Sequence, residues 1–252
     1  MVQGSESLYI KAKCGIILSE IYELNKYIIV TSNEELDNAL TNITRGESIY
    51  IKNGTYTLSK SYNIPCINII GEKENPPIIQ VTDKYFITAD NELGTNIFEN
   101  LQFRGTIGGI NLSSAYASAE IRNCNWKNMV NQYNFTAIFI SNHNDDKHVL
   151  IEDCEFINNY TTGYGHYCTN IHCIAPNGAK NITVQNCIFN ATRDNGISNV
   201  QTGNVYRVAV NHKAQWENRL TYASATNCSF CINQYLHAND TIYGFTSNNN
   251  CP

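Results

Sequence analysis

A six-residue unit recurs along the middle of the chain. It has an aliphatic residue first, Asn or Asp third, Cys fourth and an aromatic residue last. It reads IRNCNW at 121–126, IEDCEF at 151–156 and VQNCIF at 184–189. Ala replaces the aliphatic residue in ATNCSF at 225–230, and Leu replaces Cys in FENLQF at 98–103. Apolar positions alternate with period two on each side of the Asn or Asp, which predicts two strands joined by a sharp corner.

The units are unevenly spaced. The position that holds Cys or Leu falls at residues 101, 124, 154, 187 and 228, so the intervals lengthen along the chain. Stacked coils of strands about 4.8 Å apart would place equivalent residues above one another as Asn, Cys and aromatic columns. The uneven intervals then predict insertions at the other corners. Insertions on a repeat scaffold tend to collect on one face, which is the usual place for binding.

The columns lead to two local predictions. Asn or Asp is expected to make each corner by a local bond from its side chain to the backbone, because these residues tolerate left-handed backbone. Stacked Cys neighbours are too close and too parallel for ordinary disulfide geometry. We therefore predict buried thiols at Cys124, Cys154, Cys187 and Cys228. A terminal disulfide between Cys231 and Cys251 stays open, because it depends on the redox compartment.

The N-terminal third predicts one short amphipathic helix. Ser32 and Glu35 form a capping box, the helix is expected to end at Gly46, and its apolar positions are Leu36, Ala39, Leu40 and Ile43. Such a helix would cover an otherwise exposed sheet edge. A strand with a turn at Asn53-Gly54 and an apolar strand that ends at Gly71 follow it.

These features together resemble the right-handed parallel β-helix, or pectate-lyase-like, superfamily. The helix followed by GESIYIKNGTYTL and INIIGE is similar to the N-terminal segment of that superfamily, and the Asn-Cys-x-Phe units are similar to its ladder-bearing corners. The resemblance implies an all-β, right-handed parallel β-helix with a short N-terminal capping α-helix. It implies one domain over 1–252, with the helix and first strands at 28–71, the coils at 96–232 and an extension at 233–252.

The resemblance also implies three strands in each coil, with the Asn corner between the second and the third. First strands are then expected near 108–112, 137–141 and 170–174. The next one is expected either at 196–200 or at 205–211, and the sequence leaves both alternatives open. In catalytic members of the superfamily, the site lies on the outer face of the first strands and in the adjoining loops.

Candidate site residues were therefore sought on that face. Paired carboxylates in SNHNDDKHV at 141–149 suit a general acid and base on a glycosidic bond, or Ca²⁺ ligands. An arginine can pair with a substrate carboxylate or act as the base of a lyase. The catalytic candidates are His143, Asp145, Asp146, His166 and Arg193. The candidates for substrate binding are Tyr164, His148 and His172.

We predict no metal site and no cofactor. The spacing of His166, Cys168, His172 and Cys173 fits no zinc finger or ribbon. Ca²⁺ is compatible with the Asp pair, but no other residue supports it.

The family's catalytic signatures are mostly missing. Of the polygalacturonase-like motifs only Asp145-Asp146 and GYGH at 163–166 remain, and the expected first strands GGINL, AIFIS and NIHCI carry neither the Asp ligands nor the Arg of the lyases. We therefore predict a non-catalytic surface or virion protein, adhesin-like or tailspike-like, that binds glycans or a protein partner through its looped face. The alternative is a polysaccharide hydrolase or lyase. A third reading is a structural component that self-associates.

Charge and composition exclude other classes. Only 15% of the residues are charged and the formal net charge is -5, so no basic patch for nucleic acid is expected. The chain has no apolar run of membrane-spanning length, so we expect no membrane insertion. Nine Asn-x-Ser/Thr sequons give weak support to an extracellular, cell-surface or virion location. An oligomer is compatible with the sequence.

Overall fold

The strands of this chain form parallel sheets, as a computed structural model shows. The described residues are 27–82, 85–90, 93–105, 108–112, 116–131, 137–141, 147–157, 159–161, 169–174, 182–191, 201–202, 204–209, 223–226 and 229–232. Within them the structure is all-β except for one helix, α1 (Asn33–Asn42).

The strands, numbered along the chain, lie in four sheets. Sheet A contains β1 (Tyr27–Val30), β2 (Ser48–Ile51), β5 (Asn68–Gly71), β8 (Gly94–Glu99), β11 (Ala117–Arg122), β15 (Val149–Glu152), β19 (Ile182–Gln185) and β23 (Ala223–Thr226). Sheet B contains β3 (Thr55–Leu58), β6 (Ile78–Val81), β9 (Gln102–Arg104), β12 (Asn125–Lys127), β16 (Glu155–Ile157), β20 (Ile188–Ala191) and β24 (Ser229–Ile232). Sheet C contains β4 (Tyr62–Ile64), β7 (Ile87–Ala89), β10 (Ile110–Leu112), β14 (Ile138–Ser141), β18 (Thr169–Ile174) and β22 (Asn204–Ala209). Sheet D contains β13 (Val130–Asn131), β17 (Tyr160–Thr161) and β21 (Gln201–Thr202).

The chain visits these sheets in a fixed order. From β2 onward it passes from sheet A to sheet B and then to sheet C before it returns to sheet A, and the later coils add a strand of sheet D before sheet C. Neighbouring strands in sheets A, B and C are parallel, whereas β17 and β21 in sheet D are antiparallel. The arrangement is consistent with a β-helix-like solenoid.

Sheet C holds the expected first strands. Strands β10, β14 and β18 lie at the three predicted places. Strand β22 pairs with β18, so the structure selects the alternative at 205–211. The short strands of sheet D were not expected.

Helix α1 covers one end of the three large sheets. It contacts β1, β3 and β4, which are the edge strands of sheets A, B and C, and it buries Leu36, Ala39 and Leu40. Ser32 Oγ accepts a hydrogen bond from the Glu35 amide at 3.2 Å, as the capping box predicts. The predicted end at Gly46 is wrong: the helix ends at Asn42, because Ile43 adopts an extended conformation.

The Asn or Asp corner joins sheet A to sheet B in successive coils. Asn100, Asn123, Asp153 and Asn186 have φ of 56, 51, 52 and 52°, so each occupies the left-handed region that Asn and Asp tolerate. The bonds that the structure records at these corners join neighbouring coils instead of closing the corner locally as predicted: Asn100 Nδ2 donates to the Gly71 carbonyl at 3.4 Å, and the other bonds are made by the backbone. The amides of Asn100, Asn123 and Asp153 donate to carbonyls of the next coil at 3.1 to 3.2 Å. Asn227 lies outside the described residues.

The aromatic residues of the repeat stack inside the sheets. Phe103 and Trp126 lie with ring centroids 5.0 Å apart and planes 8° apart, and Trp126 and Phe156 are 4.9 Å and 6° apart. At the backbone level the register continues through Phe189 to Phe230. The predicted aromatic column is confirmed for the first three rings.

The predicted thiols are confirmed for the described part of the Cys column. Cys124, Cys154 and Cys187 are buried thiols that form no disulfide. The Cys154 Sγ lies 3.2 Å from the Glu152 carbonyl and 3.6 Å from the Ile121 carbonyl. Burial raises the pKa of the Cys154 thiol well above its usual value, which disfavours the reactive thiolate. Cys228 and Cys251 lie outside the described residues, so the Cys231 to Cys251 disulfide stays a prediction.

The corner conformation predicts how Asn123 responds to substitution. Asn123→Ala should lower the free energy of unfolding by about 1 kcal/mol, because alanine disfavours left-handed backbone. Asn123→Gly should change it by less, because glycine populates positive φ readily. Denaturant unfolding followed by circular dichroism measures both variants. The side chain of Asn123 is exposed, so lost packing is not expected to contribute. An alanine variant as stable as the glycine variant would contradict the role of the corner.

Burial of the thiols predicts their reactivity. In the folded protein at mildly alkaline pH, Cys124, Cys154 and Cys187 should resist alkylation, because all three are buried and reagent cannot reach them. For Cys154 the raised pKa also disfavours the reactive thiolate. In guanidinium chloride the same residues should react fully, which supplies the control. Peptide mapping by mass spectrometry distinguishes them from the other cysteines. Labelling of any of the three in the folded chain, or a disulfide between two of them, would contradict the arrangement.

Candidate functional site

The outer face of sheet A is occupied by its own ion pairs. Arg122 lies with Nη1 2.5 Å from the Glu120 carboxylate on the same strand and Nε 3.2 Å from the Glu152 carboxylate on the next. Gln185, one coil further, donates to Glu152. These side chains therefore form ion pairs and hydrogen bonds with one another across neighbouring coils.

The outer face of sheet B is occupied in the same way. Arg104 donates to the side-chain oxygen of Asn125 at 2.7 Å and to that of Gln102 at 2.5 Å. Asn125 in turn donates to the Glu155 carboxylate at 2.5 Å. Like the face of sheet A, this ladder joins neighbouring coils and leaves few polar groups for a ligand.

The outer face of sheet C is different. Asn63, Thr88, Asn111 and Phe139 lie in register across β4, β7, β10 and β14, and none of these four side chains is charged. Asn63 is exposed and the other three are half-buried. Asn111 Nδ2 lies 3.2 Å from the Thr88 hydroxyl, whereas Asn111 Oδ1 is buried without a hydrogen-bond partner. The row therefore has an acceptor whose hydrogen-bonding capacity is unused.

The row extends into the later coils at the backbone level. His172 in β18 pairs with Phe139, and Arg207 in β22 pairs with His172. The sequence therefore places an imidazole and a guanidinium in the same register as the aromatic residue.

Insertions occur on both sides of sheet C. Two residues separate sheet A from sheet B at each corner of the repeat, from 100–101 to 227–228. By contrast, the connections that leave sheet C lengthen along the chain, at 90–93, 113–116, 142–148, 175–181 and 210–222. The connections into sheet C lengthen as well, and in the later coils, at 128–137, 158–168 and 192–203, they contain the strands of sheet D. Sheet C is therefore the face that the variable connections border.

Most of the predicted site residues lie outside the described residues. These are His143, Asp145, Asp146, Tyr164, His166 and Arg193, so their convergence stays a prediction. His148 is exposed just before β15 of sheet A; its amide donates to the Ser118 hydroxyl at 3.0 Å, and its carbonyl accepts from the Ala119 amide. His172 lies in β18 of sheet C, whereas His148 directly precedes a strand of sheet A.

Sequence reasoning missed Lys147. Its side chain is 1% exposed, and its Nζ lies 2.6 Å from the carbonyl of Leu112, the last residue of β10. Alternation supplied a usable signal, since Val149 and Ile151 face inward and residue 147 has the same parity. Lysine is almost never fully buried unless it is paired, so the residue type itself argues against burial.

Two general features concern metals and membranes. Across the part of the chain that the structure describes, no group of three or more His, Cys, Asp or Glu side chains is placed to hold a metal ion. In that same part, no helix is both long and apolar enough to cross a membrane. Of the four residues considered for zinc, His166 and Cys168 lie outside the described residues.

No protein-family model, curated protein or solved structure significantly matches this chain.

Proposed function

We propose that the chain is a right-handed parallel β-helix of the pectate-lyase-like superfamily that binds glycans through the outer face of sheet C without cleaving them. The parallel sheets visited in turn, the left-handed Asn corners, the aromatic stack and the helix at one end support this fold. Fold alone does not specify an activity, because the same scaffold serves enzymes and binding proteins. The functional part of the proposal therefore rests on the sheet faces.

The observation that carries the proposal is the contrast between sheet C and the other two sheets. The polar groups of sheets A and B bond to one another across coils. Sheet C instead presents amide and hydroxyl groups beside the half-buried ring of Phe139, and the Asn111 acceptor is unused. Sugar hydroxyls donate and accept hydrogen bonds, and an aromatic ring stacks on the C–H face of a sugar. This combination suits a glycan.

The non-catalytic part of the proposal rests on the chemistry of the same row. Its first four positions, Asn63, Thr88, Asn111 and Phe139, carry no group that acts as acid or base, and the row as a whole, with His172 and Arg207 in the later coils, has no carboxylate to form the pair that a glycoside hydrolase uses. A binding protein of this kind would act at a cell surface, outside cells or on a virion. A hydrolase or lyase that uses the Asp145-Asp146 pair is the rival.

The proposal predicts glycan binding without turnover. The whole chain is tested on a glycan array and against a polysaccharide panel, with assays for reducing ends and for the absorbance of unsaturated products. Phe139→Ala should lower the affinity for the best glycan about tenfold, because loss of one ring contact costs about 1 kcal/mol or more. Leu150→Ala is the matched control, since Leu150 is a half-buried apolar residue on the outer face of sheet A. It should leave the affinity unchanged.

Three results would overturn parts of this proposal. Turnover that disappears in Asp145→Ala or Asp146→Ala would make the chain an enzyme. An equal loss of affinity in Phe139→Ala and Leu150→Ala would move the binding face away from sheet C. Capture of a protein partner, with no binding on the glycan array, would replace the ligand class.

A further inference from the structure

The first corner between sheets A and B differs from the corners of the repeat. Lys52, Asn53 and Gly54 join β2 to β3, whereas two residues form each corner of the repeat. Asn53 is exposed, and a glycine follows it directly. The corner residues of the repeat are followed by Leu or Cys instead. A glycine after an asparagine lets the next backbone nitrogen approach the asparagine side chain closely.

Hydrogen bonds at the protein surface hold Asn53. Its amide donates to Glu72 Oε2 at 3.0 Å, and its Nδ2 donates to the Asn75 carbonyl at 3.2 Å. Lys52 Nζ lies 3.0 Å from Glu72 Oε1. The bonds from the Asn53 amide and from Lys52 lower the pKa of the Glu72 carboxyl, so this group stays charged at neutral pH. Exposed hydrogen bonds open at a low free-energy cost, so the Asn53 side chain can turn toward the next residue.

The backbone nitrogen of Gly54 is placed to react with that side chain. In the described part of the chain the Gly54 amide donates no hydrogen bond, whereas the Gly54 carbonyl accepts from the Ile78 amide at 2.8 Å. Glycine carries no Cβ beside its nitrogen, so residue 54 does not obstruct the approach to Asn53 Cγ. The nucleophile and the side-chain carbonyl therefore belong to adjacent residues of an exposed turn.

We propose that Asn53 is a site of spontaneous deamidation in the folded chain, with water as the co-reactant and Glu72 as the residue that slows the reaction. The Gly54 nitrogen attacks Asn53 Cγ. The N–Cγ bond forms, the Cγ–Nδ2 bond breaks, and ammonia leaves with the proton of the Gly54 amide. Water then opens the resulting cyclic imide. Cleavage of the Cγ–N bond gives aspartate, and cleavage of the backbone C–N bond gives isoaspartate.

The modification places a second negative charge beside Glu72. The new carboxylate has no proton to donate to the Asn75 carbonyl, and it repels the Glu72 carboxylate. Isoaspartate also lengthens the backbone between β2 and β3 by one methylene group. Strand β3 is bonded to helix α1, because the Thr57 amide donates to the Asn33 side chain at 3.0 Å. Deamidation therefore loosens the first coil where the helix covers it.

The rate of the reaction is measured on the whole, folded chain at mildly alkaline pH, with peptide mapping by mass spectrometry. Asn53 should deamidate about tenfold faster than Asn123, because glycine leaves the attacking nitrogen unobstructed. Asn123 is the matched control: it is also exposed at a corner between sheets A and B, but Cys124 follows it. Mapping separates Asn53 from the Asn-Gly pairs at 177–178 and 195–196, which lie outside the described residues. Equal rates at Asn53 and Asn123 would overturn the proposal, as would modification of Asn53 only in guanidinium chloride.

The role of Glu72 has its own test. Glu72→Ala should raise the deamidation rate at Asn53 severalfold, because the variant lacks the acceptor of the Asn53 amide. Glu74→Ala is the matched control, at an exposed carboxylate two residues further along the chain, and should leave the rate unchanged. Equal rates in the two variants would overturn the restraint by Glu72. The comparison of Asn53 with Asn123 uses the wild-type chain, so it stands even if Glu72→Ala fails to fold.

The effect of the product on the fold is measured with a variant that carries it from the start. Asn53→Asp should lower the midpoint of thermal unfolding, followed by circular dichroism, because the new carboxylate lies beside Glu72. Asn123→Asp is the matched control and should leave the midpoint unchanged, since Asp153 already occupies the equivalent corner of the next coil with φ of 52°. An Asn53→Asp variant as stable as the wild type would overturn the loosening of the first coil.

Discussion

The structure depends on a backbone ladder that continues around the corner between sheets A and B. The Asn123 amide donates to the carbonyl of Glu152, the residue just before the corner of the next coil. The amide of Glu155, the first strand residue after that corner, donates back to the Cys124 carbonyl. The coils therefore stay in register through the turn, which requires the left-handed conformation of the corner residue. Because the register is kept there, Trp126 stacks between Phe103 and Phe156, and Cys154 lies beside Cys124 and Cys187. The core of the later coils is thus a consequence of one backbone conformation that recurs.

The corner between sheets A and B has a constant length, so the differences in coil length arise at the other connections. Residues between sheets A and B number the same in each unit of the repeat, whereas the connections on both sides of sheet C lengthen along the chain. Insertions there cost little, since the entropy of closing a loop rises slowly with its length. The same constraint that orders the core therefore gathers the variable segments around sheet C. A ligand site beside sheet C can change through these segments without disturbing the aromatic stack or the thiols.

Much of the fold could be predicted, because its signals are local and periodic. Alternation with period two identified the strands beside the corners. The same alternation assigned Cys124 and Trp126 to the core, where both are buried. The two-residue strands of sheet D have no such period. Helix α1 ends at Asn42 because Ile43 is extended, and no glycine marks that change in the sequence. The candidate site was less accessible to sequence reasoning. Lys147 follows the inward parity, but a hydrogen bond to the Leu112 carbonyl is a contact between coils that the sequence does not display.

The hydrogen bonds of the polar side chains distinguish the outer faces of the three large sheets. Polar side chains without hydrogen-bond partners on a sheet face are available to a ligand or another protein. On sheets A and B such side chains bond within the chain instead, through Arg122 and Arg104 respectively. Exposed ion pairs of this kind contribute little to stability, with a median near 0–1 kcal/mol, so their main effect is on what the faces can bind. A partner at sheets A or B would have to break bonds already made. At sheet C the row from Asn63 to Phe139 offers uncharged groups and an unused acceptor, so a hydroxyl-rich ligand displaces fewer internal contacts there than on either other sheet.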